Sequence, residues 1–177
     1  VKLLEIMKNI KFIKTSGDLN LQISGLSQDS RTVAPGELFL ALKGVKVDGH
    51  RFLAQAAAAG AVAALVEEWP ERDYGLTLIQ VANINSVVRE VAGVFYDYPD
   101  RKLQLIGVVG TNGKTTSTYL MKNILEAAGR RVGLIGTIVN LIGDEEIAAH
   151  NTTPGPLELQ RLFHRMVQAG VEYVVME

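Results

Sequence analysis

Apolar and polar positions recur along this chain with two different periods, and the switch between them separates strands from helices. LFLAL (38–42), AVAALVEE (61–68) and LTLIQV (76–81) are short runs of mostly apolar residues that read as strands, the middle one buried. HRFLAQAAAAG (50–60) and SVVREVAGVFYDY (86–98) instead carry helical spacing. Gly60 closes the first of these helices, since glycine takes the left-handed turn at little steric cost. Pro99 cannot continue the second, and the charges of YPDRK suggest exposure. We place a domain boundary there, giving residues 1–99 and 100–177.

The second half repeats the alternation. LQLIGVV (103–109) reads as a strand, GTNGK as a loop, and TTSTYLMKNILEAAG as a helix closed by Gly129. RRVGLIGT (130–137) is the next strand, and GDEE (143–146) a turn between two extended segments. PGPLELQRLFHRMVQAG (154–170) has proline near its start and glycine at its end, the asymmetry expected of a helix. VEYVVME then runs apolar to residue 177 without the loop and helix that should follow, an ending expected of a truncated chain. The expected fold class is α/β: a small N-terminal α/β domain, then the start of a phosphate-loop domain on a mostly parallel sheet.

Composition narrows the function classes. At 177 residues and 47% hydrophobic, the chain has room for one large domain or two small ones with filled cores. Eighteen basic residues against nineteen acidic ones leave a net charge of -1, which argues against nucleic acid as a partner, so an anion site must be local. The lack of cysteine removes disulfides and thiolate metal sites. No apolar run reaches the ~18 residues of a membrane span, and VKLLEIMKNIKF lacks the centre and cleavage site of a signal peptide. A cytoplasmic location is expected.

The strongest chemical signal is GVVGTNGKTTST (107–118), at the junction of a strand and a helix. Such a turn aims several backbone N–H groups at one spot, where the helix dipole adds partial positive charge. Gly110 and Gly113 let the backbone curl, Lys114 can reach a terminal phosphate, and the Thr115 hydroxyl suits Mg²⁺. The strict phosphate-loop pattern asks for glycine where Val108 stands, so this is a variant. A nucleoside triphosphate is the natural ligand. No guanine-reading N-K-x-D occurs, whereas Glu177 after YVVM can complete a Mg²⁺ site with Thr115. Equally, Glu177 can be a strand-end carboxylate facing solvent, and spacing does not choose between the two.

GTNGKTT, followed by NTTPGP (151–156) and VVME (174–177), resembles the Mur ligases of peptidoglycan synthesis, and DSRTVAPGELFLALKGVKVDGHRF (29–52) looks like their uridine-diphosphate-binding N-terminal domain. Together these motifs extend the likeness over essentially the whole chain. Within the family, the NTTP segment and the residues of the loop favour the branch that adds the third residue of the stem peptide over the branch that uses the tripeptide precursor. The resemblance implies transfer of the ATP γ-phosphate to a carboxylate of UDP-N-acetylmuramoyl-dipeptide, then attack of an amino acid's amine on the acyl phosphate. Charge neutralisation and in-line placement are what this chemistry asks of a protein.

By that resemblance Gly110, Thr111, Asn112, Gly113, Lys114, Thr115 and Thr116 form the ATP loop. Lys114 holds the β- and γ-phosphates, and Thr115 with Glu177 holds Mg²⁺. Gln28, Ser30, Val45, Lys46 and Val47 meet the UDP part of the precursor, and Asn151, Thr152 and Thr153 the muramoyl-peptide part. A monomer is expected. Taken without the family, DSR is a turn with an internal Asp29–Arg31 pair, NTTP a helix N-cap before proline, and DGH (48–50) a turn and helix start. His50, His150 and His164 show no zinc spacing, and His164 suits a partly buried structural role. The family's later serine-histidine segment, its modified lysine and its C-terminal domain are missing here, so the 177 residues are not expected to form the amide bond alone. A different class stays open: a nucleotide-driven binding or switch module that makes no covalent product.

Overall fold

The computed structural model describes residues 1–44, 47–149 and 152–177. The chain forms two compact units, Val1–Phe95 and Tyr96–Glu177.

In the first unit, β3 (Leu38–Leu40), β4 (Ala63–Val66) and β5 (Thr77–Gln80) build the centre of a five-stranded sheet. Its order is β1-β5-β4-β3-β2, with β1 (Lys14–Ser16) antiparallel to β5 and the other neighbours parallel. The continuous apolar runs have a physical reason: every residue of β3 and β4 is buried, as parallel strands covered on both faces require. The helix read over 50–60 is a 3-10 turn, Gly49–Phe52, running into α2 (Leu53–Ala58). That read over 86–98 is α3, Ile84–Phe95. It starts earlier because the Ile84 N–H donates to Glu67 Oε1 at 2.8 Å. It stops earlier because Asp97 and Tyr98 take positive φ, after which Pro99 opens a 3-10 turn. The short elements α1 (Leu3–Ile6), β1 and β2 (Leu26–Ser27) have no periodicity long enough to read.

The second unit carries the order β6-β10-β7-β8-β9. β6 (Gln104–Gly107), β10 (Tyr173–Met176) and β7 (Val132–Ile135) are parallel, while β8 (Val139–Ile142) and β9 (Glu145–Ala148) add an antiparallel hairpin. α5 (Pro156–Gln168) buries Leu162, Phe163 and Met166 in a cluster with Ile135, Ile142 and Val174. His164 is partly buried, its ring 5.1 Å from that of Tyr96. α4 (Lys114–Ala127) has Thr118 as its buried side chain and leaves Leu120 and Ile124 each 59% exposed. Register decides what matters chemically. Met176 lies level with Gly107 on one side and Ile135 on the other, so the carboxyl ends of β6, β10 and β7 lie at one end of the sheet. In an open α/β sheet, this carboxyl end is where ligands bind.

Candidate functional site

The loop after β6 leads into α4 through Gly113, whose φ of 77° lies in the left-handed region. Glycine is required there, because a side chain in that conformation is strained. Gly113, the N-cap, has no side chain to cap the helix start, and residues 110–113 are exposed. Among the described residues the first-turn N–H groups of α4 therefore have no side-chain cap, which leaves a place for an anion. Lys114 Nζ donates to the Gly110 carbonyl at 2.9 Å, folding the ammonium back over the loop. A phosphate would replace that carbonyl as its acceptor.

Glu177 enters from the neighbouring strand end. Its backbone N–H donates to the Ile135 carbonyl at 2.9 Å, continuing the parallel ladder one residue past β10. The residue is only 9% exposed, so the solvent-facing alternative does not hold. The Thr137 hydroxyl donates to Glu177 Oε2 at 2.9 Å, and the Thr137 N–H lies 3.4 Å from Oε1. Close approach is possible because residue 136 is glycine: a Cβ there would sit 3.0 Å from Oε1. Burial pushes the carboxyl toward its neutral form. The Thr137 and Thr115 hydroxyls, the Thr137 N–H and the Lys114 charge outweigh it and hold the pKa below the ordinary value. The site thus offers an ionised carboxylate beside a neutral hydroxyl. These hard oxygen donors fit Mg²⁺, an ion that keeps several waters and binds phosphates with one or two protein ligands. Among the described residues no group of three or more His, Cys, Asp or Glu side chains is placed to hold a metal.

The segment leading into α5 meets the backbone of Glu177 and the hydroxyl of Thr137. The Thr153 hydroxyl donates to the Glu177 carbonyl at 3.2 Å, and the Thr152 hydroxyl lies 3.3 Å from that of Thr137. The plain helix-cap reading of NTTP is therefore wrong: Gly155 is the N-cap of α5, and the threonine points to the strand end instead.

In the first unit, Gln28, Ser30 and Val47 line one cleft of about 640 Å³, together with Leu42, Phe52 and Gln55. That volume suits a small-molecule ligand. Ser30 is 6% exposed, and its hydroxyl donates to Gln55 Oε1 at 3.0 Å. The Asp29–Arg31 turn is present too: the guanidinium and backbone N–H of Arg31 both donate to the Asp29 carboxylate. The Arg31 side chain and then its N–H depress the Asp29 pKa from 3.8 to about 2. Because the folded value is the lower one, this pair's stabilisation is present above pH 3.8 and lost as pH falls through about 2. A carboxyl-detected NMR titration should find the Asp29 midpoint near 2 and see it climb toward 3.8 in Arg31→Ala.

DGH is a turn and helix start, with Asp48 Oδ1 accepting the His50 N–H at 3.0 Å. A second cavity, of about 500 Å³ beside Trp69, holds none of the residues singled out from the sequence. Val45, Lys46, His150 and Asn151 lie outside the described residues. Thr137 and Gln55 were not anticipated. Thr137 sits one strand over from Glu177 at the same sheet end, and Gln55 lies one helical turn beyond Phe52. The signal for each was position, not residue type.

Residues 22–96 match the Mur ligase family catalytic domain and residues 108–177 the Mur ligase middle domain. The chain belongs to the Mur ligase family. Over 177 residues it is 45% identical to UDP-N-acetylmuramoyl-L-alanyl-D-glutamate–2,6-diaminopimelate ligase 1 of Clostridium acetobutylicum, covering 100% of this chain and 37% of that Mur ligase. The corresponding ligase of Bacteroides fragilis is 45% identical over 178 residues, with the same coverage. A solved Mur ligase structure, described as UDP-N-acetylmuramoyl-L-alanyl-D-glutamate–2,6-diaminopimelate ligase, superposes with a TM-score of 0.74 at 25% identity, over 99% of this chain and 35% of that one. The chain thus spans little more than a third of the length of these relatives.

Proposed function

We propose that the chain is the precursor-binding and phosphate-loop portion of an ATP-dependent ligase that adds 2,6-diaminopimelate to UDP-N-acetylmuramoyl-L-alanyl-D-glutamate in the cytoplasm, acting as a monomer. The observation that carries the reading is the convergence of Lys114, Glu177 and Thr153 at one end of the β6-β10-β7 sheet. Residues 1–99 take the precursor and 100–177 begin the nucleotide domain. The amino acid is proposed from what the relatives are named to add.

ATP would supply the phosphoryl group that activates the precursor's carboxylate as an acyl phosphate, a mixed anhydride whose phosphate leaves when the amine attacks, and Mg²⁺ would offset the phosphate charge. The protein's part is positional. The N–H groups of residues 110–116 and the Lys114 ammonium hold the phosphates, and Thr115 with Glu177 supplies the metal's protein oxygens. Thr152 and Thr153, anchored at the Glu177 strand end, hold the peptide part of the precursor. Gln28, Ser30 and Val47 hold its uridine diphosphate end in the cleft. For Val45, Lys46 and Asn151 the same roles rest on the sequence alone.

Calorimetric titration of the 177-residue chain with UDP-N-acetylmuramoyl-L-alanyl-D-glutamate tests the reading. Wild type should bind. Ser30→Ala should bind roughly 5- to 10-fold more weakly, the loss of about one hydrogen bond. A folded wild type that takes ATP but ignores the uridine precursor would point to the nucleotide switch instead.

A further inference from the structure

We propose that Thr137 is a positioning residue that sets the Glu177 carboxylate for the metal and couples it to the 152–153 segment, an inference that rests on the nucleotide-site reading above. Contacts of the two preceding residues and of Thr137 itself place it. The parallel register brings the exit of β7 beside that of β10, tied by the Glu177 N–H to the Ile135 carbonyl. The next N–H along, from Gly136, donates to Oδ1 of the buried Asn140 at 3.3 Å and holds the turn into β8. Thr137 then meets the carboxylate with both its hydroxyl and its backbone N–H.

A hydroxyl carries one proton. The ionised carboxylate only accepts, so the Thr137 proton is committed to Glu177. In the 3.3 Å pair with Thr152, Thr137 is left as acceptor and Thr152 as donor. The result is a directed chain, Thr152 to Thr137 to Glu177, from the segment proposed to hold the precursor to the carboxylate proposed to hold the metal. Without Thr137 the carboxylate loses a 2.9 Å hydrogen bond and gains freedom to rotate away from Thr115. Hydrogen bonds that orient a ligating side chain are commonly worth about 10- to 100-fold in metal affinity.

The test is Mn²⁺ affinity, read by electron paramagnetic resonance with ATP present, in wild type, Thr137→Val and Thr137→Ser. Valine keeps the branched shape and removes the hydroxyl at an exposed position, so the fold is retained. Thr137→Val should bind Mn²⁺ at least ~10-fold more weakly, with ATP binding in chelator unchanged, and Thr137→Ser should recover to within about threefold. Equal Mn²⁺ affinity in wild type and Thr137→Val, or a serine variant as weak as valine, overturns the assignment of Thr137 alone. A wild type that binds no Mn²⁺ with ATP overturns the nucleotide-site reading, and this inference with it.

Discussion

Lys114→Ala should lose roughly 10- to 100-fold in ATP affinity while its circular dichroism spectrum stays that of wild type. The Lys114 ammonium makes a hydrogen bond to the Gly110 carbonyl within an exposed loop, so its removal opens no cavity. Bound phosphate would lose a charge-assisted hydrogen bond, and bonds to charged groups contribute about 1.5–3 kcal/mol. At 1.4 kcal/mol per tenfold, the expected loss follows. Calorimetry with ATP in chelator isolates this interaction from the metal. Unchanged affinity would mean that the lysine stays on its loop carbonyl and the phosphate assignment is wrong.

Phe39→Ala should destabilise the first unit by about 3–5 kcal/mol, a large share of the roughly 5–15 kcal/mol that holds a domain together. Phe39 is 1% exposed on β3, which is paired on both sides by β2 and β4, so the sheet has little freedom to collapse into the space. Trp69 is the only tryptophan in the sequence and belongs to this unit, so its fluorescence follows the unfolding of the mutated half. The urea midpoint seen by Trp69 should fall by at least about 1 M. A midpoint within error of wild type would show that the β3 core is not cooperative with the rest of the unit.

The legibility of the chain follows from how much each element depends on its own residues. β3 and β4 announce themselves because strands buried on both faces must be apolar throughout, and β5 by its central Leu78 and Ile79. The glycine loop before α4 is equally local: Gly113, Lys114 and Thr115 are adjacent, and the left-handed turn demands its glycine. The Glu177 site is different. Its carboxylate accepts from Thr137 in the turn between β7 and β8, at a spacing set by sheet register that no window along the chain displays. The same holds for Ser30 and Gln55, whose hydrogen bond joins a turn to a helix. Local rules also mislead at NTTP, where capping preference suggests a threonine at the helix start and tertiary contact takes it to Glu177 instead.

One imidazole gives the first unit a mechanical property. His50 Nδ1 lies 2.6 Å from Asp48 Oδ1, and its Nε2 accepts the N–H groups of Glu67 and Glu68 at 2.8 and 3.2 Å. An accepting Nε2 leaves the ring proton on Nδ1, so the tautomer is dictated by the backbone that follows β4. The ring acts as a rivet between that backbone and the short turn carrying Gly49 and Phe52, which forms one wall of the cleft. A ligand that pushes on Phe52 is therefore resisted by the central sheet, and the wall behaves as a fixed jaw, not a hinged flap.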